Sequence, residues 1–156
     1  MADCLELWWT NRKGVYRGVR RLHINLDNGP EIASSRTQFM KRLVEFLDQH
    51  QLTLELAYYP PYHSKYSPIE RCWGILENHC NGALLNTVTT ALEWAKTMTW
   101  RAATPIVPLL QGVYETGVRL TPRLFHPIAA RLEGTQLLPQ WSVVIQPKVV
   151  IQPKTG

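Results

Sequence analysis

The chain has 156 residues, 45% of them hydrophobic, and a formal net charge of +5; its pI is near 9.3. That length suits one domain able to bury a working core. No apolar run approaches a membrane span, and the opening MADCLELWW lacks the basic start and apolar stretch of a signal peptide, so the expected address is the cytoplasm.

Residues 2 to 13 read as a short helix carrying Leu5, Trp8 and Trp9. The basic stretch RKGVYRGVRR (Arg12 to Arg21) follows. Its charge fits a polyanionic partner, nucleic acid first, and fits a solvated basic face equally well. Leu22, Ile24 and Leu26 then alternate with His23, Asn25 and Asp27, the period of a strand. Asn28-Gly29-Pro30 breaks it. Phe39, Met40, Leu43, Val44, Phe46 and Leu47 repeat at helical spacing from an N-cap at Ser34 or Ser35 to about Gln49. Leu52, Leu54 and Leu56 alternate as a second strand. After a tyrosine-proline loop, Ser67-Pro68 opens a helix through Trp73 and Leu76. Strands alternating with helices imply an α/β sheet. Further helices are expected over Thr87 to Trp100, Pro105 to about Leu120, and Thr121-Pro122 to about Glu133. The terminal VVIQPK (Val143 to Lys148) repeats at once as Val149 to Lys154. The first copy could be a strand, and the duplicated tail 142–156 is expected to fray.

Three cysteines, Cys4, Cys72 and Cys80, lack C-x-x-C spacing, which argues against a disulfide framework. Zinc between Cys72, His79, Cys80 and His63 can be drawn. Adjacent His79 and Cys80 do not face one way on a helix, however, and buried thiols explain the cysteines more simply.

Two carboxylates each admit two readings. Ser67-Pro68-Ile69-Glu70 matches a capping box, with Ser at N-cap, Pro at N1 and Glu at N3. Asp27-Asn28-Gly29 is an ordinary turn sequence. Taken together they read differently. Asp27 ends a strand on the face opposite its aliphatics, and Glu70 opens a helix after the next strand. In open α/β sheets, sites form beyond the carboxyl ends of strands. Two such carboxylates suit hard cations such as Mg²⁺. Paired metal ions held by acidic residues are the usual engine of in-line phosphodiester chemistry. The loop between supplies Tyr62, His63 and Lys65, and Arg71 follows Glu70; such groups can lie along a nucleic acid backbone or stack on a splayed base.

These segments carry a resemblance. DNGPE (Asp27 to Glu31), RTQFMKRLVEF (Arg36 to Phe46) and YYPPYHSKYSPIERCWG (Tyr58 to Gly74) together resemble the DDE transposases of bacterial insertion sequences. These have the integrase, or ribonuclease H-like, fold and stand in the neighbourhood of the mariner-type enzymes. The similarity runs from about Asp3 to Trp141. It implies a partial ribonuclease H-like sheet with flanking helices over residues 1–82 and a helical C-terminal part of the same domain over 83–141. It implies Asp27 as the second and Glu70 as the third member of an acidic triad, holding two Mg²⁺ (or Mn²⁺) ions in the intact family. Asn28 and Gly29 would shape the pocket turn. Tyr62, His63, Lys65 and Arg71 would contact DNA, and Trp73 would pack in the core. Asp27 is expected to end a central strand, its carboxylate on the order of 4 to 8 Å from that of Glu70, given metal pairs spaced about 4 Å.

The first aspartate of the family has no match. The only aspartate before Asp27 is Asp3, in a helical stretch. The chain is therefore expected to be the carboxyl-terminal portion of a transposase catalytic domain, inactive alone. Its partners would be transposon ends and target DNA at the nucleoid, with a homodimer or assembly with an intact transposase possible. The alternative is a DNA-binding or dimerising remnant without catalysis that modulates an intact transposase.

Overall fold

Strand β1 (Arg21–Leu26) forms where apolar and polar side chains alternate. Its neighbour β2 (Thr53–Tyr58) runs parallel to it, with Leu22 opposite Leu54 and Leu26 opposite Tyr58. Parallel neighbours need a crossover, and helix α2 (Thr37–His50) supplies it. The computed structural model describes residues 1–27, 29, 32–33, 35–60, 67–115, 117–135 and 141–148.

Helix α2 buries Phe39, Met40, Leu43, Val44, Phe46 and Leu47, the six positions its periodicity singles out. It ends at Gln51, which takes the left-handed conformation that closes many helices. Its start differs from expectation. The N-cap is Arg36, and no side chain caps it; Ser34 lies outside the described residues.

Strand β4 (Ser142–Ile145) pairs antiparallel with the other edge of β2, and β3 (Leu132–Gly134) pairs antiparallel with β4. The order is β1-β2-β4-β3. Because side chains alternate across a sheet, the registers put Leu22, Ile24, Leu26, Leu54, Leu56, Tyr58, Val143 and Ile145 on one face, packed against α2. The first copy of the VVIQPK repeat thus supplies the core residues Val143 and Ile145. The second copy lies outside the described residues. Among the described strands β1 is at the edge of the sheet, not in its centre as expected.

Helix α1 (Ala2–Arg12) docks on α2. Trp9 packs with Phe46 and Leu52, Arg42 donates to Asp3, and the His50 ring approaches Glu6 at 2.8 Å. Helix α5 (Pro122–Ala129) sets Phe125 and Ile128 against the core. It stops short of the expected Glu133: the chain leaves the helix after Ala129, with Pro127 inside its last turn. The chain turns at Arg131 into β3, a strand the sequence reading did not anticipate. Arg131 clamps this end. Its guanidinium donates to both Asp48 oxygens (2.9 and 2.6 Å) and to the Gln146 carbonyl, while the Lys148 amide donates to Asp48.

These elements form one compact unit, residues 1–61 with 115–156; residues 62–114 form a second. In the second unit, α3 (Pro68–Cys80) contacts α4 (Val88–Thr97). The His79 ring meets Trp94 edge-on at 5.5 Å and bonds the Thr97 hydroxyl. Thr87 caps α4 by accepting from the Thr90 amide. Two expectations fail here. Trp73 is 56% exposed, so it does not pack in a core. No helix forms between Pro105 and Leu120 among the described residues. The apolar spacing there is helical, but Pro108 drives Val107 out of the α region and removes a donor. Gly117 has φ of 75°, and among the described residues no surface buries the stripe: Ile106 is 63% and Val113 100% exposed.

Candidate metal and DNA site

Asp27 stands one residue beyond the β1 ladder. The Tyr59 amide donates to the Leu26 carbonyl at 2.7 Å, so the backbone is fixed up to the residue before it. The described residues that follow are bonded as well. The Gly29 carbonyl accepts from the amides of Ile32 and Ala33, and the Tyr58 hydroxyl donates to the Ile32 carbonyl at 3.1 Å. Burial pushes the Tyr58 phenol up to about 12, so it remains a donor across the physiological range. A methyl placed on Gly29 would meet the Asp27 carboxylate at 3.4 Å, ordinary contact, whereas a larger side chain would crowd it. The Asp27 side chain is exposed and has no hydrogen-bond or ion-pair partner among the described residues. Asn28 lies outside them.

Glu70 occupies the first turn of α3, in the second unit. The capping box that its sequence spells does not form. The Ser67 side chain caps nothing, and the Glu70 amide instead bonds the Ser67 carbonyl at 3.1 Å. The Glu70 carboxylate is exposed, with no partner among the described residues. Arg71 beside it is likewise exposed and unpaired among them. Tyr62, His63 and Lys65 lie outside the described residues. Asp27 belongs to the first unit, and Glu70 and Arg71 to the second.

Exposed carboxylates without partners are the oxygen donors that Mg²⁺ and Mn²⁺ take, so the donor chemistry fits a divalent cation. Among the described residues no group of three His, Cys, Asp or Glu side chains gathers into a cation site, and this holds for Cys72, His79 and Cys80 as well. Asp3 is engaged by Arg42 on the α1–α2 contact.

The sequence reading missed a cleft of about 400 Å³ at the start of α2, lined by Ser35, Arg36, Thr37, Arg119 and Leu120 among others. Its one available signal was Arg36 before a helix that has no acidic residue in its first turn. The approach of Arg119 is a tertiary event that the Leu120 amide secures by donating to the Thr37 hydroxyl. It also missed the polar face of the sheet, where Glu55 lies 3.8 Å from Arg21 and 3.7 Å from His23.

The mixed sheet leads from its edge strand directly into the exposed Asp27, beyond a strand's carboxyl end, where open α/β sheets place their sites. Residues 1–147 match the model of a family described as the Rhodopirellula transposase DDE domain, and the chain belongs to that family. The family's chemistry is DNA cleavage and transfer in transposition, and its partner is DNA. A search of curated proteins and a search of solved structures gave no match. Among the described residues no helix is long and apolar enough to cross a membrane.

Proposed function

We propose that this chain carries two members of the acidic set of a DDE transposase, with Asp27 and Glu70 as ligands of Mg²⁺ or Mn²⁺. The observation that carries the reading is the exposed Glu70 carboxylate: it sits at a capping position yet has no bonding partner among the described residues. When bound, a divalent cation stabilises charge developing on the phosphodiester. Asp27 and Glu70 act here as ligands, not as covalent nucleophiles. Gly29 leaves room beside Asp27, and the Tyr58 hydroxyl steadies the turn behind it. Lys65 and Arg71 would hold phosphate oxygens, with Tyr62 and His63 along the same strand. Such contacts position DNA without reading its sequence.

Two carboxylates do not complete the ligand set for two ions, and Asp3 is committed to Arg42. We therefore propose that the chain by itself neither cleaves nor joins DNA. A second reading, a DNA-binding component assembling with an intact transposase at the nucleoid, is favoured by the position of β1 at the sheet edge, where another strand can pair. The test incubates purified chain with labelled transposon ends and Mg²⁺ or Mn²⁺, beside an Asp27→Ala, Glu70→Ala control. No cleavage is expected from either. Cleavage by the parent that disappears in the control would show the ligand set complete and overturn the inactivity. Isothermal titration with Mn²⁺ tests the ligands separately: binding unchanged in the double variant would remove both residues from the site.

A further inference from the structure

The basic stretch after α1 is not used by the acidic pair, and its geometry assigns it a task. The Trp8 and Tyr16 rings lie 5.9 Å apart, tilted by 36°, and are 42% and 44% exposed. Trp9, next in sequence, is buried with Phe46 and Leu52, and its ring lies 5.8 Å from that of Trp8. Trp8 is thus held from its buried side. The turn that holds Tyr16 is ordered: the Val15 and Tyr16 amides bond the Arg12 carbonyl, and the Val19 amide bonds that of Tyr16. The same stretch of chain carries Arg12, Lys13, Arg17 and Arg20, all exposed and without an acidic partner among the described residues. Among the described residues, Arg17 and Arg20 donate only to nearby backbone carbonyls, of Gly14 and Val19.

We propose that Trp8, Tyr16 and these cations form a binding surface for single-stranded DNA, distinct from the acidic pair. Cations alone would suit any polyanion. The half-exposed rings narrow the choice, because an aromatic face gains by stacking only on a base that is not already paired and stacked in a duplex. A solvated basic face would have no use for two paired, half-exposed aromatics in the same stretch. The surface is preformed by backbone hydrogen bonds, so little ordering cost falls on binding. It depends on neither Asp27 nor Glu70 and needs no cation.

The test uses the full chain in EDTA, so that failure of the metal-site reading cannot affect it. A short fluorescein-labelled oligothymidine is titrated and followed by anisotropy, with the matching oligoadenine–oligothymidine duplex as comparison. Parent protein should prefer the single strand. Replacing both rings (Trp8→Ala, Tyr16→Ala) should weaken single-strand binding about tenfold or more and leave duplex binding within about twofold, as each stacked base is worth about fivefold or more by alanine substitution and two are lost. Trp8→Phe should retain most of the affinity. Lys13→Gln with Arg17→Gln should reduce the slope of log affinity against log salt by about 1.4, at about 0.7 per contact for single strands. If the double-ring variant melts early, Tyr16→Ala alone decides, since its ring lies outside the core. Preference for duplex, or ring variants that bind like the parent while the charge variants lose salt dependence, would overturn the proposal and leave a solvated basic face.

Discussion

Glu70 shows what a residue-level motif can and cannot say. Ser67, Pro68 and Glu70 spell a capping box, yet the structure forms none of its side-chain bonds. Ser67→Ala should therefore change the urea midpoint negligibly, where loss of a formed N-cap costs about 1 kcal/mol. Thr87→Ala, which removes a real cap on α4, should show that cost. Equal effects at the two sites would mean the box forms in solution and would return Glu70 to a structural role. Asp48 makes a second case. Burial pushes its carboxyl up, but hydrogen bonds from Arg131 and the Lys148 amide, with the charges behind them, outweigh that and hold it below its ordinary 3.8. A carboxyl lower in the folded than in the unfolded chain stabilises the fold above the unfolded value, and the contribution fades as pH falls through the folded one. Stability should thus decline on acidification below about pH 4. Asp48→Asn should be less stable at neutral pH and lose less on acidification. Parallel acid melts for the two proteins would refute the clamp. Nothing in the sequence pointed to Asp48, since its partners come from distant segments; the strand that ends just before Asp27 was legible because its alternation is local.

Element by element, the sequence spoke clearly where local preference and burial agree. α2 repeats apolar residues at 3.6 spacing and meets the sheet along that stripe, so all six positions are buried. Leu43, fully buried against the strands, should cost about 2 to 5 kcal/mol when cut to Ala. A half-exposed neighbour such as Lys41→Ala should cost under about 0.5 kcal/mol by the same urea melts. Residues 105–120 carry the same spacing and form no helix. Periodicity states which side chains could share a face, but only a facing surface makes that face stable. Pro105, Pro108 and Gly117 were visible warnings. β3 failed for the opposite reason: three residues are too short to show a period, and the strand exists because β4 offers an edge beside it.

For the whole molecule, the contrast between the units is physical. The first buries a continuous layer between α2 and the sheet. In the second, Met98 is the only buried side chain among the described residues, while Leu84 is 79% and Val113 100% exposed. Exposed apolar surface on that scale binds amphiphilic dyes. The chain should enhance anilinonaphthalene sulfonate emission under native conditions, before any loss of near-ultraviolet circular dichroism. Emission that rises only with unfolding would show that this surface is covered in solution. The pairing of β2 with β4 has a consequence in time. Thr53 bonds Gln146 across 93 residues, and β1, α2 and β2 leave the ribosome long before β4 exists. During that interval Leu54 and Leu56 present an unpaired apolar edge, the state most prone to capture by another strand. Closing so distant a pair also makes the last step of folding slow relative to the local helices. A newborn chain should therefore pass through a long-lived partial sheet, and synthesis at lower temperature, or with a holding chaperone, should decide how much of it reaches the native register.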